Sequence, residues 1–240
     1  MPSIKECKVL VIGGSSGIGY GVAEKCLLEG AKVHIASSNA SRVGKSAVAL
    51  KQKFPSAEIT AHICDLGGED VEKSLEHLFY TIGSLDHIVF TAGDKLAIQP
   101  LETINLHAIR RAGHVRFAVP LLLAKLAPRF LNAGPKSSLT LTTGAAFSEL
   151  VVGWGVSDWP YGITRNLALD LKPLRVDLVS PGVIATPLWG SEGMPESVKG
   201  STTLGKVGMV EEVAEAYVYL MKDTNATGAC ISTNAGSLLL

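Results

Sequence analysis

Two stretches of the sequence carry residues whose types and spacing can do chemistry. GGSSGIG, residues 13–19, closes an apolar run and opens a helix-period segment. Gly13 suits a tight turn, Gly17 lets backbone approach a phosphate, and Gly19 lets helix and strand pack closely, with Ser15, Ser16 and Ile18 between them. The free N–H groups and dipole at such a helix start attract pyrophosphate. The second stretch is VVGWGVSDWPYGITRNLALDL, residues 151–171, in which Tyr161 precedes Arg165 by four residues. On a helix that spacing puts a phenol beside a fixed cation, either as a proton donor and its partner or as two residues at a helix start. Just before them, Trp154, Asp158 and Trp159 offer aromatic faces and a carboxylate, which suit a cationic substrate. They equally suit a helix cap and ordinary packing.

These residues need a scaffold, and the apolar pattern supplies one. Short β-branched runs at 8–12, 32–37, 58–64, 86–91, 138–143, 175–180 and 229–233 alternate with helix-period segments at 17–29, 40–54, 68–82, about 101–130, about 160–172 and 210–221. Apolar residues at consecutive strand positions mean burial on both faces, as in a parallel sheet covered by helices. Right-handed crossovers then give an α/β fold: one Rossmann-type, doubly wound sheet of about seven strands, a single domain over residues 1–240. The stretch 181–208 lacks periodicity and is rich in Pro, Gly and Ser, so a substrate lid is expected at about 185–208.

Composition narrows the class. Lys+Arg and Asp+Glu are both 22, so no basic surface for nucleic acid or membrane is expected. No apolar run is long enough to span a bilayer, and the N-terminus has no signal-peptide pattern. Cys7, Cys26, Cys64 and Cys230 lack paired spacing, which predicts buried thiols in a reducing, cytoplasmic compartment and no metal site.

GGSSGIG resembles the first turn of the short-chain dehydrogenase/reductase family. Further matches follow in family order: CDL at 64–66, TAG at 91–93, LTLTTG at 139–144, NLALDLKPLRVDLVSPGVIATPLW at 166–189 and the closing TGACISTNAG. The resemblance covers almost the whole chain and implies a nicotinamide cofactor. The second strand ends in Ser37, Ser38 and Asn39, followed by Arg42, where NAD-binding members carry a carboxylate. Hydroxyls, an amide and a guanidinium can take a 2′-phosphate that a carboxylate would repel, so NADP(H) is expected. The family pattern further implies Asp65 and Leu66 beside the adenine and Thr91, Ala92 and Gly93 on the adenosine side. It places Pro181, Gly182, Ile184 and Thr186 near the nicotinamide.

The family's Asn, Ser, Tyr and Lys set does not carry over. Thr143 keeps a hydroxyl at the serine position. Counting back from NLALDL, the Tyr and Lys positions fall near Gly153 and Ser157, and the Asn position falls at Val115 or Arg116. Tyr161 with Arg165 lies eight residues further on, roughly 12 Å along a helix. Pro160 belongs in a first helical turn, so a helix is expected to start near 158–160. Asp158, Thr143, Arg129, Trp159 and Tyr161 are the catalytic candidates, and Arg116 joins the cofactor set.

An iminium needs hydride alone, whereas a carbonyl also needs a proton. The leading expectation is an NADPH-dependent reductase of an activated electrophile such as an iminium. This is similar to an atypical fungal group of the family, some members of which serve alkaloid biosynthesis and a few of which guide a Diels–Alder cyclisation. The alternatives are a carbonyl reductase using Tyr161 with Arg165, and a catalytically silent dinucleotide-binding protein. Family resemblance also implies a small-molecule substrate and a homo-oligomer, dimer or tetramer.

Overall fold

Seven strands form one parallel sheet in the order β3-β2-β1-β4-β5-β6-β7. The structure, a computed structural model, describes residues 2–93, 103, 105–144, 160–189 and 202–239. The strands are β1 (Lys8–Ile12), β2 (Lys32–Ser37), β3 (Ile59–Ile63), β4 (His87–Phe90), β5 (Ser138–Thr142), β6 (Arg175–Pro181) and β7 (Cys230–Thr233). The helices are α1 (Gly17–Leu28), α2 (Ala40–Lys53), α3 (Val71–Ile82), α4 (Leu106–Gly113), α5 (Val119–Leu126), α6 (Pro160–Asp170) and α7 (Val210–Lys222). The doubly wound α/β fold therefore stands, with element ends within three residues of the sequence reading except around the fourth helix.

Every residue of β4 and β6 is buried, because helices cover both faces. One apolar layer lies under α3, α5 and α6 and holds Leu10, Ile88, Leu123, Leu139 and Leu178. The other lies under α1, α2 and α7 and holds Val9, Ile35, Val89, Val179 and Tyr217. Strand order reverses between β1 and β4, and this switch point opens a crevice at the carboxyl ends of the strands.

The long helix expected at about 101–130 is instead α4, a π-turn at His114–Ala118, α5 and a short 3-10 turn at Ala127–Arg129. Pro120 gives the physical reason. It has no N–H to donate, and its ring would meet the carbonyl of Arg116, so the helix widens by one residue before it. The cysteines also depart from expectation. Cys26 and Cys64 are buried, but Cys7 is half-buried and Cys230 exposed, since β7 is an edge strand. None of the four is joined in a disulfide. Of the expected lid, residues 190–201 lie outside the described residues. Among the described residues no helix is long and apolar enough to cross a membrane, and no group of three or more metal-ligating side chains gathers.

Candidate functional site

A cavity of about 500 Å³ occupies the crevice above β1, β2 and β4. Its floor is the turn into α1. Gly13 and Gly17 hold φ of +93° and +52°, which a Cβ would strain. A Cβ on Gly19 would sit 2.4 Å from both the Gly13 carbonyl oxygen and Thr91 Oγ1, so only glycine lets the helix start approach β1 and β4 this closely. The first turn of α1 carries no acidic residue and Ser16 makes no side-chain cap, so the helix N–H groups face the cavity uncompensated.

At one end three side chains converge. Ser15 Oγ bonds Ser37 Oγ at 2.9 Å, Arg42 Nε donates to Ser15 Oγ at 3.0 Å, and Arg42 Nη2 approaches Ser37 Oγ at 3.5 Å. Ser46 Oγ donates to the Ser15 carbonyl at 2.8 Å and fixes the same loop. These groups form a hydroxyl-and-guanidinium cradle with no carboxylate in it. Ser38, Cys64, Asp65, Leu66 and Gly67 continue the wall. Burial pushes the Cys64 thiol up to about 11, so it stays protonated and unreactive.

The other end is lined by Gly93, Val115, Arg116, Thr142, Thr143, Thr186, Pro187 and Leu188. From the place a Cβ on Gly93 would take, the Arg116 atoms Nη2, Cζ and Nη1 lie at 2.9, 3.0 and 3.1 Å. Three nearly equal distances mean that the guanidinium lies flat over Gly93, an arrangement that any side chain there would block. The π-turn carries Arg116 into this position. Thr143 extends the β5–β6 pairing through its N–H to the Val179 carbonyl at 3.0 Å, while its buried Oγ1 has no hydrogen-bond partner. No tyrosine, lysine or histidine lines the cavity among the described residues.

The family profile for the SDR-like Rossmann domain matches residues 3–240. The chain belongs to the short-chain dehydrogenase/reductase family. A similar relative is the short-chain dehydrogenase/reductase fsr5 of Gibberella fujikuroi, 41% identical over 97% of this chain and 94% of its own. Among solved structures the chain is similar to the MalC reductase/Diels-Alderase of Malbranchea aurantiaca. The TM-score is 0.92 and identity 38%, over 99% of this chain and 98% of that one. It is also similar to a small-chain dehydrogenase in complex with NADPH, with a TM-score of 0.78 and 27% identity over 98% and 100% of the two chains.

Within this short-chain dehydrogenase/reductase, the structure brings Gly13, Ser15, Ser16, Gly17, Ile18, Gly19, Ser37, Ser38, Arg42, Asp65, Leu66, Thr91, Ala92, Gly93, Arg116, Thr143 and Thr186 together around one cavity. Other candidates sit elsewhere. Asn39 turns back to accept the Arg42 backbone N–H at 2.8 Å, because it is the N-cap of α2. Pro181 ends β6 inside the sheet, a Cβ on Gly182 would lie 2.6 Å from Asn234 Cα, and Ile184 is buried in the core. These three support the loop that presents Thr186 and do not line the cavity.

Arg129 is the clearest correction. It pairs with Glu76 at 2.9 Å and Tyr80, and its guanidinium lies over the Tyr80 and Phe130 rings on the outer surface of α3. The 3-10 turn that carries it leads to the amino ends of the strands, opposite the cavity. Tyr161 packs half-buried against the apolar layer under α6, Arg165 is exposed, and neither lines the cavity. Asp158, Trp154 and Trp159 lie outside the described residues. The sequence reading missed Thr142, Pro187 and Leu188 as lining residues. A signal for Thr142 was its place beside Thr143 at a strand end, but Pro187 and Leu188 follow an aperiodic loop.

Proposed function

We propose that this short-chain dehydrogenase/reductase uses NADPH to reduce an electrophile that already carries positive charge, such as an iminium. The observation that carries the reading is a cavity of about 500 Å³ at the α1 turn, without a tyrosine, lysine or histidine among its described lining residues. The cofactor supplies hydride. The chain's residues hold it: the α1 helix start for the pyrophosphate, and Ser15, Ser37 and Arg42 for the 2′-phosphate. Thr143 lines the same end of the cavity, and its unpartnered hydroxyl is assigned to a polar atom of the substrate. Asp158, Trp154 and Trp159 are assigned to steady the cation. The NADPH preference draws support from the likeness to a dehydrogenase in complex with NADPH. The likeness to the MalC reductase/Diels-Alderase extends the proposal to an intramolecular cyclisation coupled to reduction.

The test compares a stable cyclic iminium with a ketone of the same skeleton, using NADPH deuterated at the transferring position. The iminium is expected to acquire deuterium at its former C=N carbon, with a rate that stays flat across neutral and alkaline pH. The ketone is expected to react at least about 100-fold slower, the usual worth of a positioned general acid. Efficient ketone reduction that Tyr161→Phe abolishes would overturn the proposal in favour of a Tyr161-based carbonyl reductase.

A further inference from the structure

Thr142 ends β5 and Thr143 follows it. Thr142 lies towards α7, where its Oγ1 meets Tyr217 Oη at 2.7 Å. Tyr217 is fully buried in an apolar layer that includes Val22, Val179, Val213 and Leu220. Thr142 is half-buried and lines the cavity at the end formed by Thr143, Arg116 and Thr186. A hydrogen bond thus joins Tyr217, which does not line the cavity, to a threonine that does.

We propose that Tyr217 is a positioning residue for cofactor binding: its phenol donates to Thr142 Oγ1, so that Thr142 donates its own proton into the cavity, to an oxygen on the nicotinamide–ribose half of the dinucleotide. The direction of the bond follows from elementary chemistry. A phenol is a far stronger hydrogen-bond acid than an alcohol, and a buried O–H must spend its proton on the acceptor in reach. Burial pushes the phenol well above its ordinary titration range, the Thr142 bond offsetting part of that, so Tyr217 remains a donor at any working pH. With its lone pair occupied, the threonine hydroxyl is turned so that its hydrogen points away from Tyr217. Thr142 lines the cavity, and an acceptor oxygen bound there would take that hydrogen. An alcohol that accepts one hydrogen bond also donates a stronger one.

This inference rests on the proposed dinucleotide site, and its test separates the two. Affinities for NADPH and for 2′,5′-ADP, which carries only the adenosine half, are measured for the wild type, Tyr217→Phe, Thr142→Val, Thr142→Ser and the double variant Tyr217→Phe/Thr142→Val. Thermal melts establish that each chain is folded. Tyr217→Phe and Thr142→Val are each expected to weaken NADPH about three- to tenfold, the loss of one uncharged hydrogen bond. Neither is expected to change 2′,5′-ADP binding. The double variant is expected to lose no more than the worse single one, because both break one relay, and Thr142→Ser should retain near wild-type affinity. Unchanged NADPH affinity in Tyr217→Phe overturns the inference, and so does an equal loss for both ligands, which reports general loosening of the core. If Tyr217→Phe does not fold, Thr142→Val against Thr142→Ser reads the hydroxyl end of the relay, and equal NADPH affinity in those two overturns the inference. A wild-type chain that binds neither ligand overturns the functional reading, and this inference falls with it. A wild type that binds both leaves that reading standing whatever the variants show.

Discussion

Replacing Arg42 with alanine tests the cofactor assignment at its most specific point. The guanidinium donates to Ser15 Oγ at 3.0 Å and approaches Ser37 Oγ at 3.5 Å, so it already stands over the two hydroxyls that would face a 2′-phosphate. A hydrogen bond to a charged group contributes about 1.5–3 kcal/mol. Arg42 is exposed, and solvent screening puts its share in the lower half of that range. About 1.5–2 kcal/mol corresponds to a loss of roughly 10- to 30-fold in NADPH affinity. NADH has no 2′-phosphate, so its affinity should change less than about threefold, an amount that covers the loosened Ser15 loop. Fluorescence titration with both cofactors at one fixed ionic strength measures the ratio directly. The wild-type preference for NADPH should also shrink as salt rises, whereas that of Arg42→Ala should respond less. Arg42→Lys is expected to fall between, since it keeps the charge and loses the planar fork. An equal loss for NADPH and NADH would refute the reasoning, because Arg42 would then be holding the loop and not a phosphate.

Three further outcomes follow from the geometry. Arg175 is buried, bonds the carbonyls of Pro135, Leu220 and Met221, and sits 3.6 Å from buried Asp177. Arg175→Met should cost about 3–5 kcal/mol in urea unfolding, by stranding Asp177 and the carbonyls that end α7; a loss below about 1 kcal/mol would contradict this. Burial, with Arg175 nearby, lowers His87 from 6.5 to about 4. The unfolded chain therefore takes up a proton first as pH falls, and folding stability drops from just above pH 6.5 down to about 4. His87→Gln should remove about 2 kcal/mol of the stability lost between pH 7 and pH 5, and an unchanged slope would sink the assignment. Asp177, pushed up to about 6 mainly by burial, acts in the opposite sense and gains stability as pH falls, so the variant is compared with the wild type and not read alone. Finally, Gly19→Ala puts a methyl group 2.4 Å from the Gly13 carbonyl, and calorimetry should show NADPH binding abolished together with a lowered melting temperature. Tight NADPH binding in that variant would mean the turn is less rigid than it stands here.

The sheet was legible because its strands are apolar at consecutive positions, and burial on both faces leaves little else for KVLVI or RVDLVSP to be. The phosphate turn was legible because its glycines are required by backbone conformation, which is local: Gly13 with its positive φ and Gly19 with its close approach. Side-chain destinations were less so. Asn39 had the right chemistry for a phosphate, but a local backbone N–H claimed it as a cap. Ile184 and Gly182 sat in the family's nicotinamide segment, yet their side faces the core and the 234 turn.

What the sequence alone determined is the alternation of strands and helices and the glycine turn into the first helix, both properties carried by short segments. Tertiary structure decided which side chains share the cavity. Arg129 and Arg116 are both arginines at the ends of one helical stretch, with nothing in their neighbours to rank them. Pro120 forces a π-turn that lays Arg116 over Gly93, while the following 3-10 turn sends Arg129 to Glu76 on the far surface. The Tyr217–Thr142 bond joins residues 75 positions apart through the packing of α7 on the sheet. Such a contact has no local signature, because it exists only once distant segments are brought together.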